Sequence, residues 1–446
     1  MRHGPFGAET YRPRREILAK RHRHAIFVIP AARETIRNDD VTHVFRQNSA
    51  FAYLTGFPEP DAVLVIATGD GTPRSVLFCR PRNKETEIWT GEIVGPERAK
   101  CMFGIDAMPL AELENFLKVI GGSGHEHFYP CIRDPHWELP GGSALVGMRA
   151  ERALRKYGHA PVAALRDSDH AIGELRLIKD GGEIIYMRAS ARLTALAHRA
   201  LLEFVRADMR EVELEAFLTA RFRSAGCHPS HAYPPIVASG ANACTLHYTD
   251  NNGLVRSGDL VLVDAGSEIE GYAADVTRTF PIDGVWTKEQ RAIYDVVLAA
   301  QRAAIAVARP GSTFSYMHAM AALTITEGLV RLKLLSGDPE KLVACGEYRK
   351  FFMHRTGHWL GLDVHDAGDY HTIGTEDCRV LEPGMVCTIE PGLYLSGKLI
   401  PKRYRGIGVR IEDDILITDK DPDVLTKDAP KDPDEISAIM HEARIA

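Results

Sequence analysis

The first third of the chain alternates short, continuous apolar runs with stretches of helical period. Ala25–Ile29, Ala62–Ala67 and Ser75–Cys79 are too short to be buried helices and rich enough in β-branched residues to be strands. Leu110–Ile120 and the stretch from Ala144 to Tyr157 have amphipathic helical spacing. This alternation predicts an α/β domain over residues 1–175. The segment Arg166–Gly182 is charged, carries Gly173, Gly181 and Gly182, and reads as a linker. Beyond it the period lengthens. Ile185, Ala189, Leu193, Leu196, Ala200 and Phe204 mark one face of a helix over about Glu183–Val205. A second helix, about Val212–Ala225, stops at Gly226, and strand-like segments run on to Phe280. The order then recurs. Thr287 and Gln290 have capping-box spacing and open a helix closed by Pro310-Gly311. Another helix covers about Tyr316–Leu332, and the strand-like runs Met385–Ile389 and Gly408–Thr418 follow. Two successive helix-helix-strand units predict an internally duplicated α+β domain over residues 176–446, a repetition of element order and not of residues.

Composition narrows the class. A chain of 446 residues is long for one domain and favours two. With 45% apolar and 26% charged residues it has the make-up of a globular protein with a sizeable core. The net charge of −6 gives no reason to expect nucleic-acid or membrane-surface partners. Eight scattered cysteines contain no C-x-x-C pair, so reduced thiols are expected. No apolar run reaches the 18 residues of a membrane span, and the basic N-terminus is interrupted by Glu9 and Glu16, unlike a signal peptide; a cytoplasmic location is the expectation.

Four motifs carry chemistry. Asp264 ends the apolar run Leu260–Val263, and Asp275 lies eleven residues on, past Gly271. A hairpin with a two-residue loop at Ile269-Glu270 would set the two aspartates directly opposite, with side chains about 5 Å apart. Two bare carboxylates at that distance repel unless a cation lies between them. A lone aspartate would be an ordinary turn or surface residue; two in matched register beside an apolar strand favour a metal. The second motif holds His354, His358 and His365 among apolar residues and glycines. Its spacing is not H-E-x-x-H, which disfavours a thermolysin-like zinc site, and it leaves open which histidine would bind. Glu390 ends a β-branched run before Pro391-Gly392. In Val409–Ile415, alternation puts Arg410 and Glu412 on one face and Val409 and Ile411 on the other. Taken singly, each of these glutamates reads as a surface residue. Together the motifs offer Asp, Asp, His, Glu and Glu. That donor set suits a pair of divalent ions such as Mn²⁺, with Co²⁺ or Zn²⁺ as alternatives. Two dications would balance four carboxylates and leave room for a hydroxide between metals about 3.5 Å apart. Two donors come from the first helix-helix-strand unit and three from the second.

At these residues the chain resembles the pita-bread (creatinase/methionine aminopeptidase-like) metallopeptidases, and among them the bacterial type of aminopeptidase P. The resemblance rests on Leu246-His247-Tyr248, Asp264-Ala-Gly, Asp275-Val-Thr-Arg-Thr-Phe280, the run from His358 through His365-Asp366, Glu390-Pro-Gly-Leu-Tyr394 and Arg410-Ile-Glu412-Asp-Asp. Arg46-Gln-Asn-Ser, Tyr53-Leu-Thr-Gly-Phe57 and Glu87-Ile-Trp89 extend it into the N-terminal half. It implies a metal pair held by Asp264, Asp275, His358, Glu390 and Glu412, with Asp275 and Glu412 serving both ions. It implies that His247, His354 and His365 surround the substrate, with His365 and His247 acting in catalysis beside Glu390. Arg410, Tyr394 and Trp89 are further substrate-contact candidates, Trp89 through a neighbouring subunit of a homo-oligomer, a dimer or tetramer. The implied reaction releases the first residue of a peptide whose second residue is proline. The alternative is a prolidase acting on Xaa-Pro dipeptides; the N-terminal motifs favour the former. A non-catalytic peptide-binding module would not need all five ligands. Two positions depart from the family pattern: Arg355, where a small or apolar residue is expected, and Ala207-Asp208, where Pro-Gly is usual.

Overall fold

A computed structural model describes residues 5–121, 125–130, 164–227, 231–372 and 375–445. The chain divides into two compact units, Met1–Arg176 and Leu177–Ala446. The helix expected from Ala144 to Tyr157 lies outside the described residues.

The first unit is built on a six-stranded mixed sheet. Its order is Asp106–Pro109, Arg74–Cys79, Val63–Ala67, Ala25–Pro30, His127–Pro130 and Ala164–Leu165. Ala25–Pro30 and Val63–Ala67 are central, and every residue in them is buried, which is why they read as unbroken apolar runs. The Arg46-Gln-Asn-Ser motif is structural here. Asn48 caps the helix Ser49–Thr55 by accepting from Phe51 N at 3.0 Å. Gln47 accepts from Ala32 N (2.7 Å) and donates to Phe57 O (3.1 Å) and Glu59 O (3.0 Å), so one amide ties three loop strands. The supposed linker is helical over Ser168–Arg176 and buries Ala171, Ile172 and Leu175. Its charged residues concealed an apolar face, and only the stretch before Gly181 joins the units.

The second unit repeats one plan. Helices Gly181–Phe204 and Glu211–Ser224 lead to the antiparallel strands Ile236–Ser239, Leu260–Asp264 and Thr277–Pro281, in spatial order 277–260–236. Helices Lys288–Ala306 and Phe314–Arg331 lead to Val386–Ile389, which pairs with Asp413–Leu416. The capping box of Thr287 and Gln290 forms. In each half the strand pair continues into a shorter one, Glu268–Ile269 with Tyr272–Ala273 in the first and Gly392–Tyr394 with Gly408–Arg410 in the second. One apolar core unites both halves, with Val261, Val263, Phe280, Ile293, Val297, Ile325, Trp359, Val409 and Ile415 all within it. Asp208 stands at φ 68°, the left-handed conformation that the usual glycine of that turn would adopt, and an aspartate tolerates it better than most residues. No described helix is long and apolar enough to cross a membrane.

Candidate metal centre

The carboxylates sit where the long strand pair of each half passes into the short one. In the first half the hairpin loop is Glu270-Gly271, one residue beyond the loop expected from sequence. Ile269 pairs with Tyr272, and the two loop residues have φ of 52° and 86°. A two-residue loop with left-handed φ at both positions rejects β-branched Ile269 and accepts Gly271. The register therefore shifts by two. Asp264 faces Thr277, and Asp275 lies two residues earlier on that same face. The aspartates are diagonal neighbours, not directly opposed.

Direct opposition occurs instead in the second half. Ile389 pairs with Asp413 and Gly392 with Arg410; carried through the intervening residues, that register sets Glu390 across from Glu412. The segment before it runs beside the same strand. Thr388 N donates to His358 O at 2.9 Å and Glu390 N to Thr356 O at 2.7 Å, which delivers His358 to the carboxylates.

Asp275, His358 and Glu412 each present a ligand atom, and those atoms lie within 4.8 Å of one another. His358 Nε2 is 3.4 Å from Asp275 Oδ2 and 3.9 Å from Glu390 Oε1. Its Nδ1 donates to its neighbour's carbonyl, Trp359 O, at 2.9 Å, which leaves Nε2 as the nitrogen turned to the carboxylates. Asp264 joins through Tyr233, whose hydroxyl lies 2.6 Å from both Asp264 Oδ1 and Asp275 Oδ1. Arg410 spans the centre: Nη2 donates to Asp264 Oδ2 (2.6 Å), Nε to Thr277 Oγ1 (3.0 Å) and Nη1 to Tyr394 Oη (3.0 Å). Thr277 Oγ1 in turn donates to Glu412 Oε2 at 2.6 Å.

The electrostatics show what the set lacks. Four carboxylates share a region with one guanidinium and one imidazole, a formal deficit of two positive charges even with His358 protonated. Burial, reinforced by Asp275, Glu390 and Asp264, raises Glu412 well above the ordinary carboxylate range. Burial pushes Glu390 up to about 7 against the pull of His358 and Arg410. Burial also raises Asp264, with Arg410 opposing. Burial would raise Asp275 as well, but bonds from His358 and Tyr233 bring it below its usual value. His358 is raised to about 9, its burial outweighed by Asp275 and then Glu390. Carboxylates that take up protons for want of positive charge are the donors a pair of divalent ions requires, so the residues fit such a pair.

The remaining candidates fall into two groups. His354 is drawn in: Nε2 accepts from Tyr394 Oη at 2.9 Å, Nδ1 donates to Arg355 O at 2.7 Å, and burial with Arg410 lowers its pKa to about 4, so the ring is neutral. His365 is exposed and stands edge-to-face on His358, ring centroids 4.3 Å apart. His247 is exposed on the loop after Cys244, near enough for its charge to depress both His354 and His365. Trp89 belongs to the first unit, on the helix Lys84–Thr90, and is 88% exposed. Arg355 is exposed, with its guanidinium 5.7 Å from the centre of the Tyr370 ring. Sequence reasoning missed Tyr233, Thr277 and Asp414. Asp414 is buried behind the strand, where both its oxygens lie 3.2 Å from Asp275 N.

Two family models match the chain: metallopeptidase family M24 over residues 186–419, and the aminopeptidase P N-terminal domain over residues 11–129. The chain belongs to metallopeptidase family M24. Its duplicated second unit is the pita-bread fold of that family. The chain is 41% identical to the Xaa-Pro aminopeptidase of Escherichia coli K12, over 98% of both chains. It is 34% identical to human Xaa-Pro aminopeptidase 3, over 91% of this chain and 79% of the relative. An aminopeptidase structure from Pseudomonas aeruginosa superposes with a TM-score of 0.91 at 41% identity, covering 99% of each chain. Zinc-substituted E. coli aminopeptidase P in complex with product gives 0.91 at 40%, over 98% of this chain and 99% of that one.

Proposed function

We infer that the chain is an Xaa-Pro aminopeptidase, a metal-dependent hydrolase that releases the first residue of a peptide whose second residue is proline. The observation that carries this reading is the convergence of Asp264, Asp275, His358, Glu390 and Glu412, five residues from two halves of the unit, on one region short of positive charge. These five would hold the ions. Oxygen donors in that proportion favour Mn²⁺, with Co²⁺ and Zn²⁺ as alternatives. Once bound, such a pair brings the pKa of water from about 15.7 toward 7 and polarises the scissile carbonyl.

The chain's own residues do the rest. Glu390, its carboxylate freed of its proton by the ions, would take a proton from the attacking water and pass it on. The acceptor is the proline nitrogen, which carries no hydrogen in the substrate and must gain one to leave. His365, exposed beside His358, would donate to the developing oxyanion; one such donor is worth about 2.7–4 kcal/mol. Neutral His354, fixed between Tyr394 and Arg355 O, and nearby His247 would orient the peptide. Exposed Ile88 and Trp89 (80% and 88%), on a helix that buries none of its residues, support a homo-oligomer, dimer or tetramer.

The test is a panel of Xaa-Pro-Yaa tripeptides, Xaa-Pro dipeptides and Xaa-Ala-Yaa controls, run on chelator-stripped enzyme reloaded with Mn²⁺, Co²⁺ or Zn²⁺. Cleavage of the tripeptides before proline is expected. Cleavage of dipeptides alone would make the enzyme a prolidase, and equal cleavage of the alanine controls would overturn proline specificity.

A further inference from the structure

A buried ion pair lies behind the loop that carries His365. Lys179 Nζ stands 3.0 Å from Asp366 Oδ2, and both side chains are 1% exposed. Such a pair adds little to stability, because the loss of hydration cancels most of the attraction; packed apolar residues would serve a core equally well. Its retention calls for another explanation, and its surroundings supply one.

The loop from His358 to Asp366 is fastened unequally. At its front, Leu360 N donates to Val386 O (3.1 Å) and Ala273 N to Gly361 O (2.9 Å), which fixes it to the strands beside Glu390 and Asp275. At its back, His365 is on no strand and its side chain is exposed. There Asp366 does the fastening. Its backbone N donates to Trp359 O at 2.9 Å, and its Oδ1 accepts from Asp363 N at 3.3 Å. The carboxylate fills the hollow over Gly361, where an added Cβ would fall 2.3 Å from Asp366 Oδ2 and 3.0 Å from Lys179 Cε. Lys179 is itself anchored, its N donating to Gly384 O at 2.9 Å. The ammonium therefore holds the carboxylate, the carboxylate closes the loop, and the closed loop sets His365 against His358.

We propose that Lys179, through Asp366, is a positioning residue for His365, aiming that imidazole at the reacting carbonyl without touching substrate or metal. This rests on the role given to His365 above. A 1 Å misplacement of such a group costs turnover on the order of 10²-fold and leaves ground-state binding nearly untouched.

The test is a mutant cycle on the metal-loaded, full-length enzyme with an Xaa-Pro-Yaa tripeptide, using Lys179→Met, His365→Ala and the double variant. Bound metal, kcat and KM are measured for each. Lys179→Met is expected to keep its full metal complement and a KM within about twofold, while kcat falls by roughly 10–100-fold. In the His365→Ala background the same change should alter kcat by less than about twofold, since the residue it serves is gone. Should Lys179→Met fail to fold, Asp366→Asn, which keeps the volume and removes the charge, takes its place in the cycle. Normal turnover by Lys179→Met beside an impaired His365→Ala overturns the positioning role alone. An equal loss of kcat in both backgrounds overturns it too. Normal turnover by His365→Ala overturns the role of His365 and this inference with it.

Discussion

Loading the metal centre should expel protons, and the number is set by the groups that now hold them. At pH 7 Glu390, at about 7, is half protonated, and His358, at about 9, is charged; burial and the neighbouring carboxylates raise Glu412 well above its usual range. A ligand must be deprotonated to bind. Metal entry at pH 7 should therefore release at least roughly one and a half protons per chain, one from His358 and half of one from Glu390, with any proton held by Glu412 adding to that. Apparent affinity should then fall by at least about one and a half decades for each unit of acidification near pH 7, the slope being the number of protons displaced. Calorimetric titration of stripped enzyme with Mn²⁺, in buffers of different ionisation enthalpy at one pH, measures that number directly. Release of fewer than about half a proton would refute the reasoning: either these carboxylates are already ionised and balanced, or other residues hold the ions.

The same shifts fix the sign of the pH dependence of the metal-free fold. Glu390 and His358 bind protons more tightly folded than unfolded, so what they contribute is present below their unfolded values and lost as pH rises. For Glu390 the window runs from 4.5 to about 7, and for His358 from 6.5 to about 9. Metal-free enzyme should thus melt at progressively lower temperature from pH 5.5 to 8.5, and bound metal should remove most of that slope. A flat profile for the stripped protein would contradict the shifts.

Three other perturbations have definite outcomes. Glu412→Ala should lose metal and activity together, read by metal analysis and tripeptide turnover; a variant keeping two ions and normal turnover would exclude it as a ligand. Arg278 is buried and donates to Asp413 Oδ1 (2.7 Å), Thr277 O (2.9 Å), Ala429 O (3.0 Å) and Pro430 O (3.1 Å), and also to Glu412 O, so Arg278→Met should cost about 3–5 kcal/mol in urea unfolding. A loss below about 1 kcal/mol would mean that Lys431, Gln301 and Thr426 satisfy Asp413 without it. His198, lowered by burial from 6.5 to about 4, donates to Ala265 O at 2.9 Å and opposes the trend above. Its depressed value contributes stability above pH 6.5 that is lost on acidification, on the order of 1 kcal/mol by pH 5.5. His198→Gln should flatten the acid limb of metal-loaded protein, and an unchanged limb would place the titration elsewhere.

How far the chain could be read depended on whether the controlling interaction was local. The strands around Leu260–Asp264 and Val386–Ile389 were legible because burial on both faces leaves continuous apolar runs, and the helix after Thr287 because its cap is three residues long. The hairpin between the aspartates was nearly so. Of the two loop placements, only Glu270-Gly271 spares a β-branched residue from left-handed φ, a rule that reaches no further than the loop itself and would have given the register. The linker assignment failed for the opposite reason: Ile172 and Leu175 are apolar positions among charges, and what they bury against is distant in sequence. The same holds for Tyr233, which reaches carboxylates 31 and 42 residues away, and for Lys179, 187 residues from Asp366. Neither stands in a run, a period or a motif that marks it. The donors could be recognised because metal chemistry restricts them to a few residue types. The groups that aim those donors answer only to geometry, and a tyrosine or a lysine does so with nothing in its neighbours to announce it. It follows that in this site the residues least visible in the chain, Tyr233 and Lys179, are the ones whose substitution should separate metal binding from turnover, because they set orientation and not charge balance at the ions.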